Sequence, residues 1–407
     1  MNNARAAKHN ARLALSAQFL SNFAFILPIW LLYSVNELHL SAATATVVFM
    51  CVWFTGGILE IPTGALADRL GRKRVFIIGS LLLSIYPVAY ALELPLILLI
   101  PCCLLSGLGQ ALQSGALLPL VHKSYEEAKL GQKAYTAFMS NTQMAGFISR
   151  ALSGASGAAL YSFHPKLAFF AMSVVAMFGA ILGLFLHDEK ITEKTATNRE
   201  HIKKTIALMR HNEVILSLLV SFVLFSLIGE VIWTGYQLFY ENDGQSAFTI
   251  GVLFSIVAVC SAAGAYAIRH LFAKLHPLRL IQMWGIGMLV TAILLNQPLI
   301  WLRLVAIVPM GIMSGTVIGT LNSAVQQVVA NRYHSTALSV VNLLWYGTYG
   351  IGSVCVGVLF TTFGIATTRS ILLVWVSVVS VVVLVRARTL SNRAKAYRIQ
   401  MPELTIE

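Results

Sequence analysis

Charge is what this sequence has least of. Of its 407 residues only 11% are charged and 57% are hydrophobic, whereas soluble domains carry about 25% charged residues. That shortage excludes a string of soluble domains, which would need far more polar surface, and equally a coiled coil or a disordered chain. Acid is scarcer than base, with 16 Asp and Glu against 29 Lys and Arg. The resulting charge of +13 does not point to nucleic acid, because the cations form short clusters between apolar runs and build no single basic face. Cysteine is sparse too. Cys51, Cys102, Cys103, Cys260 and Cys355 all lie in apolar runs, with no CxxC pair and no histidine beside them. They read as small apolar packing residues, so neither a disulfide framework nor a metal site is expected. There is no HExxH, no Ser/His/Asp grouping and no glycine-rich loop followed by lysine. The signatures of a membrane-embedded enzyme and of ATP-driven transport are therefore missing, and no cofactor is expected.

What the sequence does have is long apolar runs. About 20 such residues cross a bilayer as a helix, so the chain reads as an all-α membrane protein. Twelve spans are expected, at roughly 13–35, 43–67, 75–92, 96–121, 135–160, 166–186, 213–239, 248–272, 279–296, 299–324, 335–361 and 365–385. The first run is too long for a signal-peptide core and has no clear cleavage site. Unbroken runs such as Leu96 to Leu108 do not fit the short alternating strands of a membrane barrel.

Lysine and arginine set the orientation, because loops rich in them stay inside. With the N-terminus inside, 25 of the 29 fall on the inner side. Lys166, Arg303 and Arg369 are left outside and Arg150 is left in mid-span. Both termini are expected in the cytoplasm, with the excess charge near anionic lipid. The charged stretch 187–212 divides the chain into a six-helix half, 1–186, and a second half with a short tail, 213–407. The halves look related at an offset near 200: Gly64 falls on Gly264, Arg69 on Arg269, and Gly157 on Gly357. Gly107, Ala111 and Gly115 are spaced by four, as are Gly311, Gly315 and Gly319. Small residues at that spacing give a smooth helix face for close packing, and two similar halves are how many transporters build alternating access.

The loop after the second span reads Gly64-Ala65-Leu66-Ala67-Asp68-Arg69-Leu70-Gly71-Arg72-Lys73-Arg74. Asp68 stands at a helix C-terminus, where the macrodipole disfavours an anion, so it needs a cation or another helix N-terminus as partner. Gly71 suits the tight reversal. This run resembles the signature loop of the major facilitator superfamily, with every main position filled. The resemblance implies a twelve-helix, two-half fold, and a loop that latches the halves on the cytoplasmic side while the protein is open outward. Carried onto this chain, Gly64, Asp68, Arg69, Gly71 and Arg72 form the latch, and Asp68 meets the start of span eleven near His334 to Ala337. The second-half copy keeps Gly264 and Arg269 but has Ile268 in place of the acid. The lead-in Glu60-Ile61-Pro62-Thr63-Gly64, with Pro62 expected to kink span two, looks like that of bacterial small-molecule exporters in the superfamily. Two departures stand out. Proton-coupled drug antiporters of this superfamily carry an arginine in span four where this chain has Cys103, and a Gly-Pro pair in span five where it has none.

Glu60, Arg150 and Glu230 are the three ionisable residues expected well inside spans. Each costs roughly 2.5–3.5 kcal/mol at mid-bilayer and by default faces a cavity or a partner. By depth, Arg150 matches Glu230 best, with Glu60 also within reach. Scarcity makes Glu230 the expected proton carrier, tuned by Arg150, with Glu60 in reserve. Asn22, Gln110, Gln113, Trp233, Tyr236, Gln237, Asn342 and Tyr346 are the expected substrate contacts, since aromatics with a few amides suit an amphipathic organic molecule. The whole reads as a monomeric secondary transporter in the cell membrane, exporting a small organic substrate against protons. Uptake symport or uniport on the same fold is the alternative.

Overall fold

The computed structural model describes residues 3–187, 213–270, 277–328 and 334–397, apart from some side chains inside helices. The described residues form helices and no strands. In chain order these are α1 (Asn3–Ser21), α2 (Trp30–Asn36), α3 (Ala42–Leu70), α4 (Arg72–Leu83), α5 (Ile85–Ala91), α6 (Leu96–Glu127) and α7 (Gly131–Phe163). They continue as α8 (Leu167–Leu184), α9 (Glu213–Asn242), α10 (Ala247–His270), α11 (Pro277–Leu295), α12 (Ile300–Val305), α13 (Ile307–Val328) and α14 (His334–Tyr397).

Eight helical stretches among the described residues are long and apolar enough to cross a membrane. Joined across their breaks, the helices accommodate the twelve expected crossings, and the breaks have local causes. Proline lacks an N–H and orphans the carbonyl four residues before it. Accordingly α4 ends at Leu83, four before Pro87, and α12 ends at Val305, four before Pro309. The long α14 bends at Gly364, whose φ of 74° divides it into two crossings. The first crossing is split between α1 and α2 around Pro28. Pro62, expected to kink span two, sits inside an unbroken α3.

The end of the bundle that holds the Arg69–Arg74 loop is termed the basic end, and the opposite one, at Asn36 and Asn242, the far end. Within each half the small-residue stripes pair equivalent helices. In the first, Thr63 donates to the Ala111 carbonyl at 3.1 Å, and Gly115 lies against the Gly64 backbone. In the second, Ser261 donates to the Gly311 carbonyl at 3.0 Å, and Gly264 lies against Ile312. The halves meet through α3 on α14, α7 on α10, and α2 on α9. Of the expected 187–212 loop, all beyond His187 lies outside the described residues.

Candidate functional site

Every hydrogen bond between the halves, among the described residues, lies from mid-bundle to the far end. Asn36 donates to Glu241 at 2.6 Å, the Ala43 amide to Thr361 at 3.1 Å, and the Ala155 amide to Ser255 at 2.9 Å. The closure at the α1/α2 break is built from an amide side chain. Gln237, 1% exposed, accepts from the Leu31 N–H through Oε1 at 3.0 Å and donates through Nε2 to the Leu27 carbonyl at 3.0 Å. Those two backbone groups are the i and i−4 partners that would bond each other in a continuous helix. Beside it the Tyr236 hydroxyl donates to the Pro28 carbonyl at 3.4 Å. Gln237 and Tyr236, expected at substrate, are thus occupied in holding the two halves together in this conformation.

Below this seal α3 and α14 meet through aromatic rings. Trp53 of α3 lies 5.2 Å from Tyr349 and 6.4 Å from both Trp345 and Tyr346 of α14, ring to ring. Its indole N–H is buried without a partner. Sequence reasoning missed Trp53, although Trp53, Gly57 and Glu60 share one helix face at i, i+4 and i+7. Gly57 is needed there, since a Cβ would come within 2.9 Å of Tyr346. Glu60 follows Gly57 on that face, one turn nearer the basic end. Glu230 packs against Gly352 of α14, with no room for a second Cβ, and its Oε2 is buried without a hydrogen-bond partner. One turn on, Thr234 and Ser353 share a hydrogen bond of 2.8 Å. Trp233 stacks at a tilt on Phe254, 5.2 Å away, on the α10 side.

Arg150 takes neither glutamate. Its Nη2 donates to Asn22 Oδ1 at 2.9 Å, and it makes no ion pair among the described residues. The expected Arg150–Glu230 pairing is therefore not made in this conformation. The polar candidates of α6 pack inside the first half. Gln113 donates to Ser80 of α4 at 3.0 Å, and Gln110 lies along Gly56 of α3. The side chain of Asn342 lies outside the described residues.

At the basic end, Gly71 has φ of 94° and joins α3 to α4 in the left-handed region that favours glycine. Arg72 donates to the Pro119 carbonyl and Lys73 to the Leu184 carbonyl, each at 2.6 Å, so these cations bind helices within the first half. Arg69 is exposed. A Cβ at Gly64 would meet nothing within 4 Å, so the close approach there comes from Gly115 alone. The side chains of Asp68 and of residues 334–340 lie outside the described residues.

Two like helical halves, hydrogen-bonded to each other among the described residues from mid-bundle to one end, fit the architecture of an alternating-access membrane protein. The chain belongs to the Major Facilitator Superfamily, whose profile matches residues 13–353. It is 32% identical over 120 residues to the uncharacterised MFS-type transporter EfpA of Mycobacterium tuberculosis, a match that takes in 30% of this chain and 23% of that protein. In fold it is similar to the nucleoside transporter NupG, with a TM-score of 0.76 at 12% identity over 96% of this chain and 99% of that one. It is likewise similar to a POT family transporter solved with 5-aminolevulinic acid, with a TM-score of 0.75 at 13% identity over 93% and 96% of the two chains.

Proposed function

We propose that this protein is a secondary transporter that moves a small organic molecule by alternating access, exporting it from the cell in exchange for protons. The observation that carries the reading is where the halves are joined: among the described residues their hydrogen bonds run from mid-bundle to the far end, and Arg150 stands exposed on the basic-end side of them. With the orientation given by the Lys and Arg count, both termini lie in the cytoplasm and the halves part on the inner side, ready to load for export. Glu230 is the proton carrier. A carboxylate oxygen without a donor in an apolar setting is costly to leave ionised, and a group that must give up its charge in one conformation is what coupling requires. The protein works as a monomer in the cell membrane.

Uptake by symport or uniport is favoured by one observation. Position 103, where the resemblance to drug antiporters calls for arginine, holds a fully buried cysteine, so the usual antiport charge is absent there. Flux in proteoliposomes separates the readings. Purified protein is screened against a dye and metabolite panel, with and without a pH gradient. Export coupling predicts accumulation driven by the gradient, and Glu230→Gln is expected to abolish it while leaving substrate exchange intact. If gradient-driven flux survives Glu230→Gln but is lost in Glu60→Gln, the carrier is Glu60. If the gradient never matters, the protein is a uniporter.

A further inference from the structure

The direction in which Arg150 points decides what it is for. Along α7, Ala137, Asn141, Met144, Ile148 and Leu152 form one exposed stripe, with Met144, Ile148 and Leu152 exposed by 62%, 49% and 53%. This largely apolar face suits lipid. Successive residues turn by about 100°, which places Arg150 on nearly the opposite side of the helix from Ile148. Arg150 is nevertheless exposed, and so are Gln143 and Thr136 at seven-residue intervals on the same side. A polar track therefore runs up α7 from the basic end and stops at Arg150. Beyond it that side of the helix is shut, where Gly154 meets Gly251 and Ser255 of α10 and Gly157 meets the backbone of Phe25. Arg150 is thus exposed on the side away from the apolar stripe, at the end of that polar track.

The guanidinium is oriented but not neutralised. Asn22 donates through Nδ2 to the Gln18 carbonyl at 2.8 Å, which turns its Oδ1 toward Arg150. Helix α1 ends at Ser21, so the negative end of its dipole lies beside the cation. These contacts steady the charge and use one of its five N–H donors. No carboxylate among the described residues pairs with it. A cation deep in a span is costly without a counter-charge, and the exposed side of this guanidinium is open to one arriving along that track.

We propose that Arg150, positioned by Asn22, is the anchoring point for the carboxylate of the transported molecule, which is a small monoanion carrying an aromatic or apolar ring. A single guanidinium matches a single negative charge and offers a two-pronged edge to a planar carboxylate. To the rest of the molecule we assign the aromatic cluster of Trp53, Trp345 and Tyr346 between α3 and α14 as a stacking surface. This rests on the transport reading, but its test needs no flux, so the two fail separately.

The test uses three probes that share one ring and differ in charge: 1-naphthylacetate, 1-naphthylacetamide and 2-(1-naphthyl)ethylamine. Each is bound to the full chain in nanodiscs and measured by equilibrium dialysis. The expected result is that the acetate binds at least about tenfold tighter than the amide, as loss of one charge-assisted contact gives, and that the amine binds weakest. Arg150→Gln is expected to erase the acetate's advantage, Arg150→Lys to retain part of it, and Asn22→Ala to reduce it. If Arg150→Gln does not fold, the Lys and Asn22 variants carry the same test. Wild-type protein that binds no probe, or binds the amide or amine as well as the acetate, overturns the proposal. So does an acetate preference that survives in Arg150→Gln or, where that variant does not fold, is unchanged in both of the others.

Discussion

The two ends of the molecule hold their cations differently. At the far end the three basic residues expected outside share two acids: Lys166 meets Glu93 at 2.9 Å, while Arg303 at 2.5 Å and Arg369 at 3.1 Å both meet Asp243. At the basic end Arg72 and Lys73 reach main-chain carbonyls of neighbouring helices, and Lys123 pairs with Glu127 one turn on in the same helix at 3.5 Å. The far-end ion pairs join segments distant in sequence, whereas the Lys123–Glu127 pair lies within one helix and Arg72 and Lys73 tie helices together through their carbonyls.

Asp243 is where that contrast is most easily broken. It serves two arginines with its side chain 5% exposed, and theirs are 19% and 12% exposed. Asp243→Ala leaves two partly buried guanidinium groups uncompensated, an expected loss of ~3–5 kcal/mol. Thermal unfolding of the purified protein should show a clear fall in midpoint, and an unchanged midpoint would mean that solvent already screens the cluster. Asp68→Asn, at the other end, should do the reverse. Stability and membrane insertion stay near normal while transport falls about tenfold, which a bias of ~1.4 kcal/mol between conformations produces. Wild-type transport in that variant would reduce the basic loop to a topology signal.

Smaller still is the expected effect of Gln237→Ala on stability, about 0.5–1.5 kcal/mol for its net hydrogen bonding. Its effect on conformation should be easier to see, as faster modification of a cysteine placed at Ala43 by an impermeant reagent. An unaltered rate would place the seal elsewhere along the α3 and α14 contact. Cysteines at Glu37 and Ser391 test the orientation with least disturbance. The first should react from outside and the second should not, and the reverse would exchange the roles of the two ends.

Much of this was legible in the sequence. Run lengths, the glycine stripes and the turn at Gly71 are local or periodic properties, and local properties carry over into structure. Cys103, read as packing, is buried. Partners were less legible, because a side chain's target depends on which helices become neighbours. Depth along a span placed Arg150 level with Glu230, yet depth has no rotational component, and the side chain turned to Asn22. Gln113 and Gln237 looked like substrate contacts because a buried amide on a span must bond something. Nothing in the sequence told a ligand from a neighbouring Ser80 or a broken stretch of backbone. Trp53 passed unnoticed inside an apolar run, where an indole reads as bulk.

The amide of Gln237 stands where a peptide group's own bond would be. When it withdraws, Leu31 N–H and Leu27 C=O are at the right spacing in the chain to bond each other, and the freed amide can be wetted by the opening pathway. Parting the halves at this point therefore exchanges one set of hydrogen bonds for another, with no backbone group stranded in a dry interior. At this point, then, the hydrogen bonding of Leu27 and Leu31 costs little to rearrange, and the cost of parting the halves lies in their other contacts.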